Sequence, residues 1–318
     1  MTVKPEEKPK RVRKNRYIPD LAAARFRPTE DWSVDAAKEE YQKVTFDFPV
    51  DRIIYGDCIR LMKQLPNESI DVIIADPPFG LNFTGKESIY NRDDRFVRQG
   101  YHESQDDYMT FSIKWIRELH RIMKNSGSAW IFSGWTNLAE ILNAVKESGL
   151  TLVNHIIWRY QFGVFTRRKF VTSHYHVLFL AKSHDYYFNK IMHYPLDVWE
   201  INRTYRRSEV KNGTKLPEEL VARCIEFSSR PGFLVFDPFM GNGTTAVAAK
   251  GTFRHYLGFE INSNMKDVID SNVSAIKLGQ SYLPYSQRYD DLVVRARKKY
   301  GTNAKQSLHI AKLDQFQL

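Results

Sequence analysis

The sequence has few cysteines and no long apolar run. Cys58 and Cys224 are the two cysteines among 318 residues, which excludes a disulfide scaffold and a cysteine-rich zinc site and fits a reducing cytoplasm. No apolar run approaches the roughly 20 residues that a membrane span needs. Residues 1–16 carry seven Lys or Arg and lack the apolar centre of a signal peptide. We therefore expect a cytoplasmic protein with no membrane partner.

The histidines are not spaced as metal ligands usually are, so we expect no metal site. What the chain does have is positive charge: 47 Lys and Arg outnumber 37 Asp and Glu, a net charge of +10, and 14% of residues are aromatic. This balance favours a polyanion as partner, although charge that serves solubility alone is the alternative.

Short apolar runs alternate with helical patterns after residue 50, which predicts a doubly wound, Rossmann-like α/β fold. About seven strands would form a mostly parallel sheet with helices on both faces. The predicted strands are 52–55, 71–75, 128–133, 152–159, 176–181, 232–236 and 255–259, and the predicted helices are 59–65, 107–123, 136–147, 217–228 and 244–250. Residues 1–49 are expected to form a basic flexible arm and an irregular segment, 50–270 a catalytic domain, and 271–318 a basic extension.

A glycine-rich turn follows the run that ends at Phe236. Gly241 and Gly243 allow a tight turn and the close approach of a ligand, and Thr244 or Thr245 could cap the next helix. The next run ends at Glu260, where a carboxylate could accept hydrogen bonds from ribose hydroxyls. Because the third glycine of a dinucleotide fingerprint is missing, a smaller adenosine ligand is favoured over a pyrophosphate cofactor and a nicotinamide dehydrogenase. A purely structural turn is the alternative.

A second unusual turn, Asp76-Pro77-Pro78-Phe79, follows the run that ends at Ala75. Two prolines cannot continue a central strand, so they form a stiff corner that holds the Asp76 carboxylate and the Pro77 carbonyl in place. Two fixed acceptors beside the flat ring of Phe79 suit a planar group with an exocyclic amine. An ordinary proline-rich loop with a buried Phe is equally consistent with this segment alone.

A third acid, Asp57, ends the first apolar run just before Cys58. It could accept a hydrogen bond from an adenine amine or simply cap the helix that follows.

Together these residues resemble the S-adenosylmethionine-dependent DNA amino-methyltransferases of the β group. Residues 76–79 match that family's catalytic Asp/Asn/Ser-Pro-Pro-aromatic motif, and residues 239–243 match its Phe-x-Gly-x-Gly cofactor loop, in the β-group order. Residues 169–182 resemble the motif that supports the target-base pocket, with His174 at the usual His position. The resemblance implies S-adenosylmethionine as cofactor, held by Asp57, Cys58, Asp237, Phe239, Gly241, Asn242, Gly243, Thr244, Thr245 and Glu260.

The resemblance also implies the reaction. A sequence-specific enzyme would flip a base out of double-stranded DNA and transfer a methyl group directly to its amine, with Asp76, Pro77, Pro78 and Phe79 around that amine. Asp in the first motif position favours the N6 amine of adenine, and the N4 amine of cytosine is the alternative. A catalytically inactive nucleic-acid-binding protein would also fit these residues, as would an enzyme that methylates a protein glutamine or an RNA base.

Basic residues outside the catalytic and cofactor motifs are candidates for DNA contact. Segments 81–106 and 185–215 are expected to read the sequence. The individual candidates are Arg95, Arg98, Arg167, Arg168, Lys169, His174, Arg206 and Arg207. A homodimer that reads a longer site and a cognate restriction endonuclease would both fit such an enzyme.

Overall fold

The computed structural model describes residues 26–78, 105–161, 163, 167–192, 194–203 and 215–288. Its helices and strands alternate along most of the chain. The helices are α1 (Val34–Lys43), α2 (Cys58–Met62), α3 (Gln105–Ile122), α4 (Leu138–Ser148), α5 (Glu218–Ser228), α6 (Thr244–Gly251) and α7 (Lys266–Ala275). The strands are β1 (Arg52–Tyr55), β2 (Ile70–Ala75), β3 (Met123–Ser133), β4 (Thr151–Arg159), β5 (His174–Ala181), β6 (Val198–Glu200), β7 (Leu234–Asp237) and β8 (His255–Glu260).

The strands form one eight-stranded sheet in the order β1-β8-β7-β2-β3-β5-β4-β6. Among the described strands, β5 alone runs antiparallel to its neighbours, β3 and β4, and every other pair is parallel. The carboxyl ends of all the other strands therefore lie at one edge of the sheet, where α/β folds bind ligands.

Helices cover both faces of this sheet, which confirms the predicted doubly wound fold. One face, which we call the α3 face, packs against α2, α3 and α4. The other, the α5 face, packs against α5, α6 and α7. All six residues of the central strand β2 are buried, because it is covered on both sides.

Three elements are absent from the predicted helices and strands: α1, which lies in the segment expected to be irregular, β6 and α7. Strand β6 is only three residues long, Val-Trp-Glu, and exists through its pairing with β4 rather than through an apolar run of its own. Helix α7 has a single fully buried residue, Ile269, so its apolar periodicity is weak.

The described parts of the predicted terminal segments contact each other. The hydroxyl group of Tyr282 donates to the carbonyl of Trp32 at 2.9 Å, and Asp31 accepts from the backbone N–H groups of Tyr285 and Ser286. The division of the chain at residues 49 and 270 stays a prediction. Across the described ranges, no helix is both long and apolar enough to cross a bilayer.

Asp71 joins three central strands at the edge opposite the expected site. Its buried carboxylate accepts from the Lys124 ammonium at 2.7 Å and from the backbone N–H of Leu234 at 2.9 Å. We expect Asp71→Ala to lower the free energy of unfolding by about 2–3 kcal/mol, because both donors lose a buried partner.

Urea denaturation measures this effect. Glu39→Ala, which removes an exposed i,i+4 partner of Lys43, is the control and should cost no more than about 0.5 kcal/mol. Equal losses in the two variants would contradict the assignment.

Candidate active site

Four carboxyl side chains lie at the carboxyl ends of four adjacent strands. Glu260 and Asp237 end β8 and β7, while Asp76 and Asp57 follow β2 and β1. Side chains alternate between the two faces of a strand. Val235 and Ile74, two positions before Asp237 and Asp76, pack into the α5 face, as does Tyr256, four positions before Glu260. The carboxyl groups of Glu260, Asp237 and Asp76 therefore form a row on the α5 face at the ligand-binding edge, and we call these three the acidic row. Asp57 lies beyond the end of β1, at the start of α2.

Asp76 has an unpaired buried acceptor. Its Oδ1 is shielded from solvent and has no hydrogen-bond partner among the described residues. The pKa of Asp76 is raised to about 7, because burial and the charge of Asp237 raise it by more than the guanidinium of Arg203 lowers it. Pro77 is buried and Pro78 half-buried, so both prolines of the corner pack against the protein. Phe79 lies outside the described residues.

The glycine turn is held by Glu260. One carboxylate oxygen accepts from the backbone N–H of Gly241 and the other from that of Asn262, both at 2.8 Å. Burial raises the pKa of Glu260, although these backbone donors oppose the shift. Met240 donates its backbone N–H to the Phe259 carbonyl at 2.8 Å, so the turn is fixed to the end of β8.

Asp237 fixes the start of α6 from the other side. Its carboxylate accepts from the Phe239 N–H at 2.8 Å and from the Thr245 hydroxyl at 2.6 Å. Its pKa is raised to about 7, because burial and the charge of Glu260 together outweigh the lowering effect of these two donors.

The prediction that Thr244 or Thr245 caps α6 is wrong. The N-cap is Gly243, at φ 82°, and no side chain caps the helix. Both threonines lie in the first turn and are buried. The Thr245 hydroxyl points at Asp237 because the helix begins one residue earlier than a threonine cap requires.

The other expected cofactor residues lie around this turn. Asp57 accepts from the Arg60 N–H at 2.8 Å and so caps α2, which was one of its two expected roles. Cys58 is buried, and burial raises the pKa of its thiol to about 12. The Phe239 ring packs edge-on against Trp115, and the carbonyl of Asn242 accepts from Asn272 at 2.9 Å. Their roles in cofactor binding stay predictions.

Side-chain alternation along β5 places the neighbouring residues His174 and Tyr175 on opposite faces of the sheet. His174 and His176 face the α3 side, where their rings meet edge-on, and His176 forms a 2.8 Å hydrogen bond with His155. Tyr175 faces the α5 side, with Trp158 and Tyr160. Tyr175 thus shares the face of the acidic row, and His174 does not. Over the described part of the chain, no group of three potential ligands could hold a metal.

The DNA-contact candidates are only partly described. Arg167, Arg168 and Lys169 are exposed in the connection between β4 and β5. Arg95, Arg98, Arg206 and Arg207 lie outside the described residues, as do most of segment 81–106 and the part of segment 185–215 from 204 to 214.

The acidic row and the turn fit S-adenosylmethionine, a small adenosine ligand with a positive sulfonium. Negative side chains favour a cation near them. Gly241 and Gly243 adopt φ values of 54° and 82° in the turn that follows β7. Because neither residue has a side chain, a ligand can lie close to the backbone of this turn. Glu260, Asp237 and the turn are the residues that would hold the cofactor, opposite the unpaired oxygen of Asp76.

We expect Gly243→Ala to weaken S-adenosylmethionine binding on the order of tenfold. Alanine is strained at φ 82°, and its Cβ would lie 3.1 Å from the Ile269 side chain, so the start of α6 must shift. Isothermal titration calorimetry measures the affinity.

Gly149→Ala is the matched control. Gly149 has the same φ of 82° at the end of α4, but a Cβ there would lie 3.9 Å from its neighbour, His120. It should cost about 1 kcal/mol of stability and leave the affinity unchanged. Equal affinity in the two variants would contradict the cofactor assignment of the turn.

Known proteins resemble this chain in sequence and in fold. The type II methyltransferase M.HinfI of Haemophilus influenzae is 31% identical over 246 residues, 71% of this chain and 68% of its own length. The DNA adenine methyltransferase YhdJ of Escherichia coli K12 is 28% identical over 290 residues, 80% of this chain and 90% of its own. The crystal structure of an M1.HpyAVI–SAM complex superposes with a TM-score of 0.54 at 21% identity, over 70% of this chain and 98% of that one.

The family comparison covers the whole site except Asp57 and Cys58. The family model described as DNA methylase matches residues 70–271, a range that includes the Asp76 corner, the glycine turn and Glu260. The expected cofactor, S-adenosylmethionine, is confirmed. The chain belongs to the DNA methylase family.

Proposed function

We propose that the protein transfers a methyl group from S-adenosylmethionine to the N6 amine of adenine at a specific sequence in double-stranded DNA. The observation that carries this proposal is the unpaired, buried Oδ1 of Asp76 at the edge and face that also hold the glycine turn. A relative named as a DNA adenine methyltransferase supports adenine as the target, as does the aspartate in the first motif position.

Asp76 and Pro77 would prepare the amine for reaction. A base flipped out of the duplex brings its two amine hydrogens to the Asp76 carboxylate and the Pro77 carbonyl, which turns the nitrogen lone pair away from both oxygens. The carboxylate also stabilises positive charge that develops on the nitrogen. When bound, the cofactor supplies an already activated methyl group, so the protein's task is to position and desolvate the amine.

The connection between β4 and β5 is the described element best placed to contact DNA. β4 runs parallel to β2 and β3, so this connection leaves from the same edge as Asp76. The Tyr160 N–H donates to the Ser173 carbonyl at 3.0 Å, which closes the base of the connection. Its Arg167-Arg168-Lys169 run is exposed, and the next side chain, Phe170, is 99% exposed. Cations beside a free aromatic ring suit phosphates and an unstacked base.

Several finer features belong to the same proposal. Segments 81–106 and 185–215 would read the sequence, His174 would support that surface from the start of β5, and residues 1–49 and 271–318 would flank the catalytic domain. We place the enzyme in the cytoplasm, with a cognate restriction endonuclease as its functional partner. A homodimer would extend the site read by these short segments.

Variants of Asp76 test the catalytic role. Asp76→Ala should lower methyl transfer by about 10²- to 10³-fold while S-adenosylmethionine binding stays near wild type. The wild-type rate should fall as the pH drops through about 7. The protonated carboxyl group is uncharged, so it accepts the amine hydrogen more weakly and no longer stabilises the positive charge on the nitrogen.

Asp76→Asn provides the control for the pH effect. Its amide oxygen does not titrate, so its lower rate should vary little over about pH 6 to 8. The measurement is the amount of N6-methyladenine in a defined duplex, determined by mass spectrometry. Full activity of Asp76→Ala would contradict the proposal.

The double variant Arg167→Ala/Arg168→Ala tests the DNA surface. If each guanidinium neutralises one phosphate, the slope of log affinity against log salt should fall by roughly two. The control is Lys38→Ala/Lys43→Ala on α1, which packs beside Gly232 at the opposite edge of the sheet. An equal change of slope in the two double variants would exclude a specific role for the β4–β5 connection.

A further inference from the structure

Arg203 lies in a box of three aromatic rings. Its guanidinium carbon is 4.3 Å from the centre of the Tyr160 ring, 5.1 Å from that of Trp158 and 5.2 Å from that of Tyr175. Cation–π attraction of this kind is strongest where water is excluded, and Trp158 is fully buried. We call these three rings the aromatic box.

The backbone of Arg203 is fixed as well. The Gln161 side chain donates to the Arg203 carbonyl and accepts from its N–H, both at 3.0 Å. Two residues earlier, the Ile201 carbonyl accepts from the Trp158 indole at 2.8 Å. Both the main chain and the side chain of Arg203 are thus held by residues from the end of β4, the segment after it and the start of β5.

The aromatic box lies on the same face and edge as Asp76. Tyr175 pairs with Trp158 in the register of β5 and β4, and Trp158 and Tyr160 belong to the same α5-face core as Ile74, two residues before Asp76. The Arg203 Nε is buried and, like Asp76 Oδ1, has no hydrogen-bond partner among the described residues. Within the described ranges, a donor atom of a cation and an acceptor atom of a carboxyl group are therefore both left without a hydrogen-bond partner on this face.

The charges around Asp76 are unequal. Asp237, from β7, raises its pKa, and Glu260, from β8, acts in turn on Asp237. Arg203 is the cation that lowers the pKa of Asp76. A carboxyl group buried beside other carboxyl groups needs hydrogen-bond donors or a counter-charge to stay ionised, and Asp76 Oδ1 has no donor among the described residues.

We propose that Arg203 is a positioning residue for methyl transfer, whose guanidinium, fixed in the aromatic box, keeps Asp76 in the ionised form that accepts the amine hydrogens of the target base. The inference rests on the proposed function and adds a residue that no motif contains. A residue with only a structural role would alter the rate at all pH values equally, so the pH profile separates the two roles.

The test compares Arg203→Met, Arg203→Lys and Arg223→Met over a pH series of kcat/KM. Met keeps the apolar stem without the charge, and Lys keeps the charge. Arg223 also lies over a ring, that of Trp199, but pairs with Glu219 on the surface, so Arg223→Met is the matched control.

In Arg203→Met the acid limb of the profile should move upward by roughly one pH unit, the low end of the effect of a nearby cation on a carboxyl group. Arg203→Lys should restore most of the shift, and Arg223→Met should leave the limb in place. An unchanged limb in Arg203→Met, or equal shifts in the Met and Lys variants, would overturn the inference.

Failure of the proposed function gives a different result. If the wild-type protein methylates cytosine N4, the target proposal fails, but the comparison of pH profiles still decides the role of Arg203. If Arg203→Met does not fold, Arg203→Gln, which keeps a planar polar group without the charge, should show the same upward shift, and an unshifted limb in it would overturn the inference.

Discussion

The burial of several carboxyl groups side by side is the constraint on which the site depends. Glu260, Asp237 and Asp76 end three adjacent parallel strands, and burial raises the pKa of each. A buried carboxyl group needs donors or a counter-charge to stay ionised. The protein supplies backbone donors to Glu260, and a threonine and a backbone donor to Asp237. Among the described residues Asp76 Oδ1 has no such donor, so it is available to a ligand.

The fold creates this constraint and also makes it useful. Parallel strands bring their carboxyl ends to one edge, and side-chain alternation puts the acids on one face. The same geometry places the aromatic box at the far side of that face, because β4 runs parallel to β2 while β5 reverses between them. A cation on the cofactor and the guanidinium of Arg203 are the positive charges that such a row of acids favours.

Much of the fold and the position of the site could be predicted from the sequence. The Asp76 corner and the glycine turn are local patterns, and alternating runs indicate a parallel sheet whose strand ends meet. Strand β6 could not be predicted, since it depends on pairing with β4. The Thr245–Asp237 hydrogen bond and the Arg203 box depend on side chains from separate elements, so no local pattern contains them. Alternation along β5 indicates that His174 and Tyr175 lie on opposite faces, but the packing of other elements decides that Tyr175 is the one on the face of the acidic row.

The central claim is that the cofactor and the target amine share one cavity along the acidic row. A crystal structure of the protein with S-adenosylmethionine tests it most directly. We predict that the ribose lies beside Glu260 and that the sulfonium methyl group points along the α5 face toward Asp76. A cofactor bound on the α3 face, or with its methyl group directed away from Asp76, would contradict the claim.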